Sequence, residues 1–372
     1  MHTSTAEDTA EEQVIRLSEN GAADNGESLV PIDLDLIPRK VRLELPLFVQ
    51  VGEGDQRMFA LVRNRGALFS DRVRNLLRKE KAPIFTKGKY FQAYEASVET
   101  HLEKILTDES VPLDKRATLL YQKGEDIMEA FFDRPLSKEN YRKSQELVSN
   151  IVRLTHTSEA GVQSMMKLAR RDYNTYSHSL HVCILGVGFS QALLSDKRLL
   201  RDGSFSGDIH ILGQGFIYHD LGKSLIDAKI LKKAGPLNDA EWKEIKRHPL
   251  DGAQMLQEQG VRDREILQIT LYHHERMNGT GYPYGLQADA IPAIARVAAI
   301  TDAFDALTSD RPYKAAASTF QALSIMKNEN AGFYDPVLFQ QFVLMFRRNP
   351  DTAKKLDPRN LRSSDPPRAR PK

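Results

Sequence analysis

The sequence predicts a mainly α fold, in which an all-α helical bundle is preceded by a helical linker region and a small α+β N-terminal domain. Apolar residues recur at helical spacing through residues 96–170 and again through residues 171–349. Alternating, strand-like runs occur only between residues 29 and 95. The termini, residues 1–28 and 350–372, carry little apolar patterning, so both are predicted to be disordered, the second as a basic tail.

Composition bounds the class of protein. The chain has 372 residues, of which 41% are apolar and 27% charged, as in globular proteins with one large domain and smaller units. A net charge of +2 gives no argument for a nucleic-acid polymer or a membrane surface as partner. The single cysteine, Cys183, excludes a disulfide within the chain and indicates a reducing compartment. With no secretory signal and no membrane span predicted, we expect a cytoplasmic protein.

The α+β domain, residues 29–95, is predicted from a hairpin and a capped helix. Two apolar runs, at residues 47–51 and 58–62, flank a glycine-containing turn. Ser70 is expected to cap a helix over residues 71–78. Apolar residues at 83–85 and at 90–91 suggest one more strand. Because this segment contains no cluster of acids, bases or metal ligands, a regulatory or oligomerising role is expected.

The helical connector, residues 96–170, shows three apolar stripes that Pro112 and Pro135 separate. Two histidines in it, His101 and His156, have no candidate partner nearby in sequence and are expected to be structural or exposed. The connector is therefore not expected to contribute catalytic groups.

The segment 171–349 holds a set of candidate metal ligands near the ends of predicted helices. They are His178, His219, Asp220, His248, His273, His274 and Asp302. Each histidine alone is more often structural, but seven candidates in one all-α region favour a metal site. Five imidazoles and two carboxylates suffice for two first-row metal ions if one carboxylate is shared. Asp220 is the candidate bridge, because it follows a histidine and precedes a tight turn at Gly222.

These ligand types indicate a reaction class. Mixed imidazole and carboxylate ligation suits iron, manganese or zinc, whereas the absence of cysteine ligands excludes a finger-type structural zinc site. Two ions about 3.5–4 Å apart can hold a hydroxide that attacks phosphorus, while they stabilise charge on the phosphoryl oxygens. The residues therefore predict phosphoester hydrolysis.

Several local motifs strengthen this prediction. They are His219-Asp220-Leu221-Gly222-Lys223, His273-His274-Glu275-Arg276, Gly279-Thr280-Gly281-Tyr282-Pro283, and the run from Asp302 to Tyr313. In this order they resemble the HD superfamily of metal-dependent phosphohydrolases, and the Gly-Tyr-Pro sequence resembles its HD-GYP subgroup. The resemblance extends from about residue 172 to residue 346, roughly half of the chain.

The resemblance implies a function and roles for residues. The HD-GYP family hydrolyses the bacterial second messenger cyclic di-GMP to the linear dinucleotide pGpG, and some members continue to GMP. Carried over by motif, one metal would take His178, His219, Asp220 and Asp302, and the other Asp220, His248, His273 and His274. Lys223 would lie beside the bridging hydroxide and contact phosphate, so Asp220 and Lys223 are the catalytic candidates. Tyr282, Arg311 and Lys314 would bind substrate. Iron or manganese is the expected cofactor, as two divalent ions.

Two departures from the family pattern leave alternatives open. Asn278 stands where many members carry Asp, and Asn174 stands where three-metal members carry Glu, so two metals are expected. One alternative is a cyclic di-GMP-binding signalling protein with weak or no hydrolysis, and another is a phosphodiesterase for a different cyclic dinucleotide. Protein partners at the Gly-Tyr-Pro loop or the N-terminal domain, and a homodimer, also stay open.

Overall fold

The structure, a computed structural model, describes residues 14–16, 28–51, 58–135, 137–156, 161, 164–165, 168, 175–195, 207–233, 235–310 and 315–347. The chain divides into two compact units, Met1–Arg116 and Ala117–Lys372. The break lies within the predicted helical connector.

The first unit contains a five-stranded antiparallel sheet. Its strands are β1 (Val14–Arg16), β2 (Leu29–Ile32), β4 (Leu47–Val51), β5 (Met58–Arg63) and β7 (Ile84–Lys87), with β3 (Val41–Arg42) and β6 (Leu68–Phe69) pairing separately. The order in the sheet is β1-β5-β4-β7-β2. Phe48, Phe59 and Leu61 form its buried core, because alternate residues of a strand point to the same face. The antiparallel pairing of β4 with β5 matches the predicted hairpin.

Helix α1 (Asp71–Glu80) lies in the same unit, and the Ser70 side chain caps it by accepting from the Val73 amide. The cap was predicted from sequence, and it satisfies one of the amides that a helix start leaves free. Arg74, almost fully buried, ties the helix to the segment before it by donating to the backbone oxygens of Leu34 and Asp35.

Two sequence predictions in this unit are wrong. Residues 90 and 91 are not in a strand, because Tyr90 ends a 3-10 turn and Phe91 begins α2 (Phe91–Thr100). The prediction of a disordered N-terminal tail fails at Val14–Arg16, which pairs with β5 as an edge strand. Backbone pairing at a sheet edge requires little from the side chains, so two apolar residues and an arginine in a polar segment suffice.

Helices make up the rest of the described chain. They are α3 (Leu102–Thr107), α4 (Leu113–Asp133), α5 (Lys138–His156), α6 (Thr175–Ser195), α7 (Ile209–Tyr218), α8 (Ala228–Leu231), α9 (Asp239–Ile245), α10 (His248–Glu258), α11 (Arg264–Tyr272), α12 (Ala293–Thr308), α13 (Thr319–Asn328) and α14 (Pro336–Arg347). Between residues 175 and 347 the described chain contains no strand, only an isolated bridge between Asn278 and Gln287. The predicted all-α character is confirmed there.

Helix α6 forms the centre of the second unit. It is apolar around most of its circumference, and it packs against α5, α7, α12 and α14. An all-round apolar helix is stable only where every face is covered. Among the described helices, α6 alone is long and apolar enough to cross a membrane, but 83% of that window is buried within the protein. Helix α6 is therefore buried in the way that a core helix is.

Close approach of backbones fixes the helices around the site. A 3-10 turn, Leu221–Leu225, packs against the start of α10. A Cβ at Gly222 would lie 2.0 Å from the His248 carbonyl oxygen and 2.6 Å from the Gly252 amide nitrogen. Only glycine permits this contact. It brings the chain after α7 against the first turn of α10.

Candidate metal centre and active site

Helix ends supply five of the seven predicted ligands, which all lie close together. His219 and Asp220 follow α7, His248 begins α10, and His273 and His274 follow α11. The other two, His178 and Asp302, lie within α6 and α12, which pack against each other. The ligands form two groups, and within each group the ligand atoms lie within 4.8 Å of one another. One group is Asp220, His248, His273 and His274, and the other is His178, His219 and Asp302.

Asp220 lies between the two groups. Its Oδ1 is 3.2 Å from His248 Nε2 and 3.7 Å from His273 Nε2. Its Oδ2 is 3.5 Å from His178 Nε2 and 3.4 Å from His219 Nε2. The carboxylate therefore presents one oxygen to each group, which is the arrangement that a bridging ligand needs. Asp220 is fully buried.

Backbone carbonyls select the tautomer of three histidines. His219 Nδ1 lies 2.7 Å from the Phe216 oxygen, His248 Nδ1 2.7 Å from the Ile245 oxygen, and His273 Nδ1 2.9 Å from the Thr270 oxygen. A carbonyl only accepts, so each Nδ1 must carry the proton and donate it. Each Nε2 then keeps a lone pair that is directed toward Asp220. A hydrogen bond of this kind is the usual partner of a metal-ligating imidazole.

The charge states agree with cation binding. Burial lowers the pKa of His219 and His274, and it lowers that of His248 to about 4, so these imidazoles are neutral at pH 7. Burial alone would raise the pKa of Asp220, but the nearby Lys223 ammonium holds it well below its usual range. Neutral imidazoles beside an ionised carboxylate form a donor set suited to divalent first-row metals.

Unsatisfied polar atoms provide a test of whether a metal fits. His219 Nε2 and Asp220 Oδ1 are buried and have no hydrogen-bond partner among the described residues. His248 Nε2 and His273 Nε2 lie 3.2 Å apart, although the carbonyl bonds leave both with lone pairs. Buried lone pairs that face one another cost free energy unless a cation lies between them. The cluster is therefore able to bind divalent metal.

Lys223 borders the cluster from the 3-10 turn. Its Nζ donates to Asp220 Oδ2 at 2.6 Å, and 17% of its side chain is exposed. His274 is 23% exposed and Asp302 14%, whereas His178, His219, His248 and His273 are buried. The cluster therefore opens to solvent on the side of Lys223, His274 and Asp302.

The Gly-Tyr-Pro loop covers part of this open side. The Tyr282 ring stacks on His274, with ring centroids 4.6 Å apart. A Cβ at Gly281 would lie within 2.6 Å of backbone atoms of residues 274–276, so the loop can return to the histidines only at a glycine. Asn278 stabilises the same loop, since its Oδ1 accepts from the Thr280 amide and hydroxyl.

Sequence reasoning missed four residues that support the site. Buried Glu275 accepts from the amides of Tyr284 and Leu286, at 2.8 and 2.9 Å, and so fixes the loop. Asp305 accepts from His178 Nδ1 at 2.7 Å and from His181 Nδ1 at 3.1 Å, and Tyr121 donates to His181 Nε2 at 2.6 Å.

A spacing signal for two of these residues was present in the sequence. His181 and Asp305 each lie three positions after a candidate ligand, so they share its helix face. Tyr121 has no such signal, because it lies in the connector, far from the other residues in sequence. Of the other predicted residues, Arg311, Lys314 and Asn174 lie outside the residues that the structure describes.

Comparisons with known proteins find relatives of the segment that contains the cluster. Residues 216–338 match the HD domain family, a range that includes every candidate ligand except His178. The chain is 37% identical over 180 residues to the cyclic di-GMP phosphodiesterase PA4108 of Pseudomonas aeruginosa, covering 48% of this chain and 41% of that protein. It is 39% identical over 215 residues to the cyclic di-GMP phosphodiesterase response regulator RpfG of Xanthomonas campestris, covering 52% and 56%.

A further relative has a different named substrate. The 3'3'-cGAMP-specific phosphodiesterase 1 of Vibrio cholerae is 39% identical over 128 residues, covering 34% of this chain and 30% of that protein. The chain thus spans from about a third to somewhat over half the length of these relatives.

A solved structure shares the fold. Bd1817, an HDG"Y"P protein from Bdellovibrio bacteriovorus, matches with a TM-score of 0.55 at 19% identity, covering 85% of this chain and 98% of that chain. The family match shows that this chain contains an HD domain, and the relatives and clustered motifs show that this domain is similar to those of HD-GYP cyclic di-GMP phosphodiesterases.

Proposed function

We propose that this protein is a metal-dependent phosphodiesterase that hydrolyses cyclic di-GMP to pGpG. The observation that carries the proposal is the position of Asp220, whose two carboxylate oxygens lie between two groups of imidazoles. The relatives named cyclic di-GMP phosphodiesterases support this substrate.

The metal assignment belongs to the same proposal. One divalent ion would be held by His178, His219, Asp220 and Asp302, and a second by Asp220, His248, His273 and His274. Iron or manganese suits this donor set. When bound, two such ions would activate water for attack on phosphorus and stabilise negative charge on the phosphoryl oxygens.

The chain's own residues would orient the substrate and balance charge. Lys223 has three N–H donors, one of which is directed at Asp220, and its ammonium lies at the open side of the cluster. It would contact the phosphodiester that is cleaved. Addition of one water places OH on phosphorus and a proton on the departing sugar oxygen, which opens the ring to pGpG.

Three more residues are proposed to bind substrate. Tyr282 would line the nucleotide pocket, because its ring covers His274 on the open side of the cluster. Arg311 and Lys314 would bind phosphate, since a guanidinium can make two parallel hydrogen bonds to it. A cytoplasmic location is proposed on the single buried thiol, Cys183, which suits a reducing compartment.

A second candidate function is hydrolysis of another cyclic dinucleotide. The Vibrio cholerae relative, named as specific for 3'3'-cGAMP, favours this alternative. Both substrates have two phosphodiesters and differ in one base, so contacts with the bases would distinguish them.

Product analysis tests both candidates. Purified, metal-loaded protein would be incubated separately with cyclic di-GMP, 3'3'-cGAMP and cyclic di-AMP, and the products separated by chromatography. We expect pGpG to form fastest, with none from chelator-treated protein. Faster cleavage of 3'3'-cGAMP would contradict the substrate assignment. Calorimetric binding of cyclic di-GMP without any product would instead identify a signalling protein, with partners at the Gly-Tyr-Pro loop or the N-terminal domain.

A further inference from the structure

A row of aromatic rings leads from the metal centre to the protein surface. The Tyr282 ring stacks on His274, and the Trp242 ring lies 6.5 Å from Tyr282 between ring centroids. Trp242 is 44% exposed, although an indole is largely apolar. The row therefore starts at a candidate ligand and ends at a ring that solvent can reach.

A lysine lies over both outer rings. Lys246 Nζ is 5.5 Å from the centroid of Trp242 and 5.8 Å from that of Tyr282, within the range of a cation–π interaction. It follows Trp242 by four positions, so the two side chains share one face of the helix end. Lys246 is itself exposed.

The local structure holds this pair in place. Trp242 lies in α9, which starts with a reciprocal capping box between Asn238 and Glu241. Lys233 Nζ donates to both carboxylate oxygens of Glu241, at 2.8 and 2.6 Å, and so ties the helix to the preceding segment. These contacts hold the helix that carries Trp242 and precedes Lys246.

The exposed pair of Trp242 and Lys246 has the chemistry to bind a base and a phosphodiester of the proposed substrate. A cyclic dinucleotide has two purine bases and two phosphodiesters, and only one phosphodiester can be at the cluster at a time. The remainder must lie on the neighbouring surface. An exposed aromatic ring can stack guanine or adenine, and an ammonium binds phosphate as a point charge.

We propose that Trp242 and Lys246 form an outer subsite, in which Trp242 stacks one purine base and Lys246 binds the phosphodiester that is not being cleaved. This proposal rests on the proposed function, because it assumes a cyclic dinucleotide at the metal centre. It assigns the affinity of the site in part to α9, outside the Gly-Tyr-Pro loop.

Trp242 is the only tryptophan of the chain, so its fluorescence reports on this one position. Metal-loaded wild-type protein would be titrated with a hydrolysis-resistant phosphorothioate analogue of cyclic di-GMP. We expect saturable quenching of the tryptophan emission, with a midpoint equal to the dissociation constant from calorimetry. Inorganic phosphate, which has no base, should leave the emission unchanged.

Kinetics of variants provide the second test. Trp242→Ala should raise KM for cyclic di-GMP about tenfold or more, with kcat much less affected, and Trp242→Phe should restore most of the loss. Lys246→Ala should raise KM in the same way, whereas Lys243→Ala, which removes the same charge from the same helix, should not. Hydrolysis of bis(4-nitrophenyl) phosphate, which lacks a second phosphodiester, should be equal in the wild type and in Lys243→Ala.

The outcomes separate this inference from the proposed function. Analogue binding without quenching, or a wild-type KM in Trp242→Ala, would overturn the outer subsite while hydrolysis by the wild-type protein still stands. Saturable quenching in a protein that cleaves no cyclic dinucleotide would support the subsite and overturn the catalytic proposal. Neither binding nor cleavage would overturn both.

Discussion

At the scale of single residues, Asp220 is the residue on which the proposed metal site depends most, because its two oxygens face separate groups of imidazoles. A carboxylate shares one negative charge between two oxygens and can bind a cation at each, whereas an amide offers one neutral oxygen. Its role therefore depends on charge as well as on position.

We predict that Asp220→Asn will lose most of its bound metal and nearly all hydrolysis, at least 100-fold, because the amide cannot bridge two ions. Elemental analysis would measure the loss of metal, and chromatography of the products would measure the loss of hydrolysis. Asp251→Asn is the matched control, since its carboxylate in the same unit pairs only with Arg247 on the described surface. Wild-type metal content in Asp220→Asn would contradict the bridging role.

A second residue-scale prediction concerns Asp305, which orients His178. The carboxylate of Asp305 is buried, and although burial raises its pKa, His181 and His178 lower it to about 2, so it is ionised and accepts a hydrogen bond from each Nδ1. An amide at this position would direct an N–H at one imidazole, and where it faces His178 it would move that proton to Nε2. We expect Asp305→Asn to weaken metal affinity about 10- to 100-fold.

A competition titration with a chelator would measure that affinity. Tyr121→Phe supplies a graded comparison, because it removes one hydroxyl from the end of the chain of hydrogen bonds but keeps the ring beside His181. Its effect should be smaller. Unchanged metal affinity in Asp305→Asn with an intact fold would show that His178 is oriented by other contacts.

At the scale of elements, ion pairs join separate segments of the first unit. Asp35 accepts from Arg78 Nε at 2.7 Å, and Lys115 Nζ lies 2.8 Å from its other oxygen. These contacts join the segment after β2 to α1 and to the start of α4. Burial by itself raises the pKa of Asp35. Lys115 and Arg78 lower it by more than burial raises it, so the pKa of Asp35 lies below 3.8.

The sign of this shift predicts an acid-sensitive unit. A carboxyl group whose pKa is lower in the folded state stabilises the fold above pH 3.8, and this stabilisation is lost as the pH falls through its lower folded value. We expect Asp35→Asn to destabilise the first unit at pH 7 by about 1–3 kcal/mol, since it removes a charged acceptor. The variant should also lose less stability than the wild type between pH 5 and pH 3.

Hydrogen exchange of peptides from residues 28–51 and 58–116 across this pH range would test the prediction, because it reports on the first unit separately. Glu44→Gln is a suitable control, as Glu44 forms an exposed pair with Arg65. Exposed pairs contribute little to stability. An equal acid response in Asp35→Asn and the wild type would exclude Asp35 as the source.

At the scale of the whole molecule, the two units differ in what stabilises them. All seven candidate ligands lie in the unit Ala117–Lys372. Within the described part of this unit, His219 Nε2 and Asp220 Oδ1 are buried without a hydrogen-bond partner, so bound cations would stabilise it. The described part of the first unit contains no comparable group of His and acidic residues.

We therefore predict that chelation will destabilise the second unit selectively. A ligand present at 100 times its dissociation constant stabilises the folded state by about 2.7 kcal/mol. Removing metal should increase hydrogen exchange in α6, α7, α10, α11 and α12, and adding iron or manganese should reverse the change. The strands of the first unit should not respond. An equal response of both units, or none, would contradict a metal centre confined to the helical unit.

Some features could be predicted from sequence because they depend on neighbours along the chain. Ser70 and Asn238 cap helices through amides three residues away, and His219-Asp220 and His273-His274 are adjacent pairs. The resemblance to HD-GYP proteins grouped these pairs into one site. Residues 90–91 were predicted incorrectly, because strand propensity alone does not reveal whether a sheet has a place for the strand.

The sequence by itself determined the class of fold, the types of ligand and the chemistry that they allow, since residue identity and short spacings carry that information. Tertiary structure decided which oxygen of Asp220 faces which imidazole, that Asp305 joins His178 to His181 and Tyr121, and that Trp242 lies beside Tyr282. His178 and Asp305 are 127 positions apart. Contacts over such distances are set by the packing of whole helices, which no local pattern encodes.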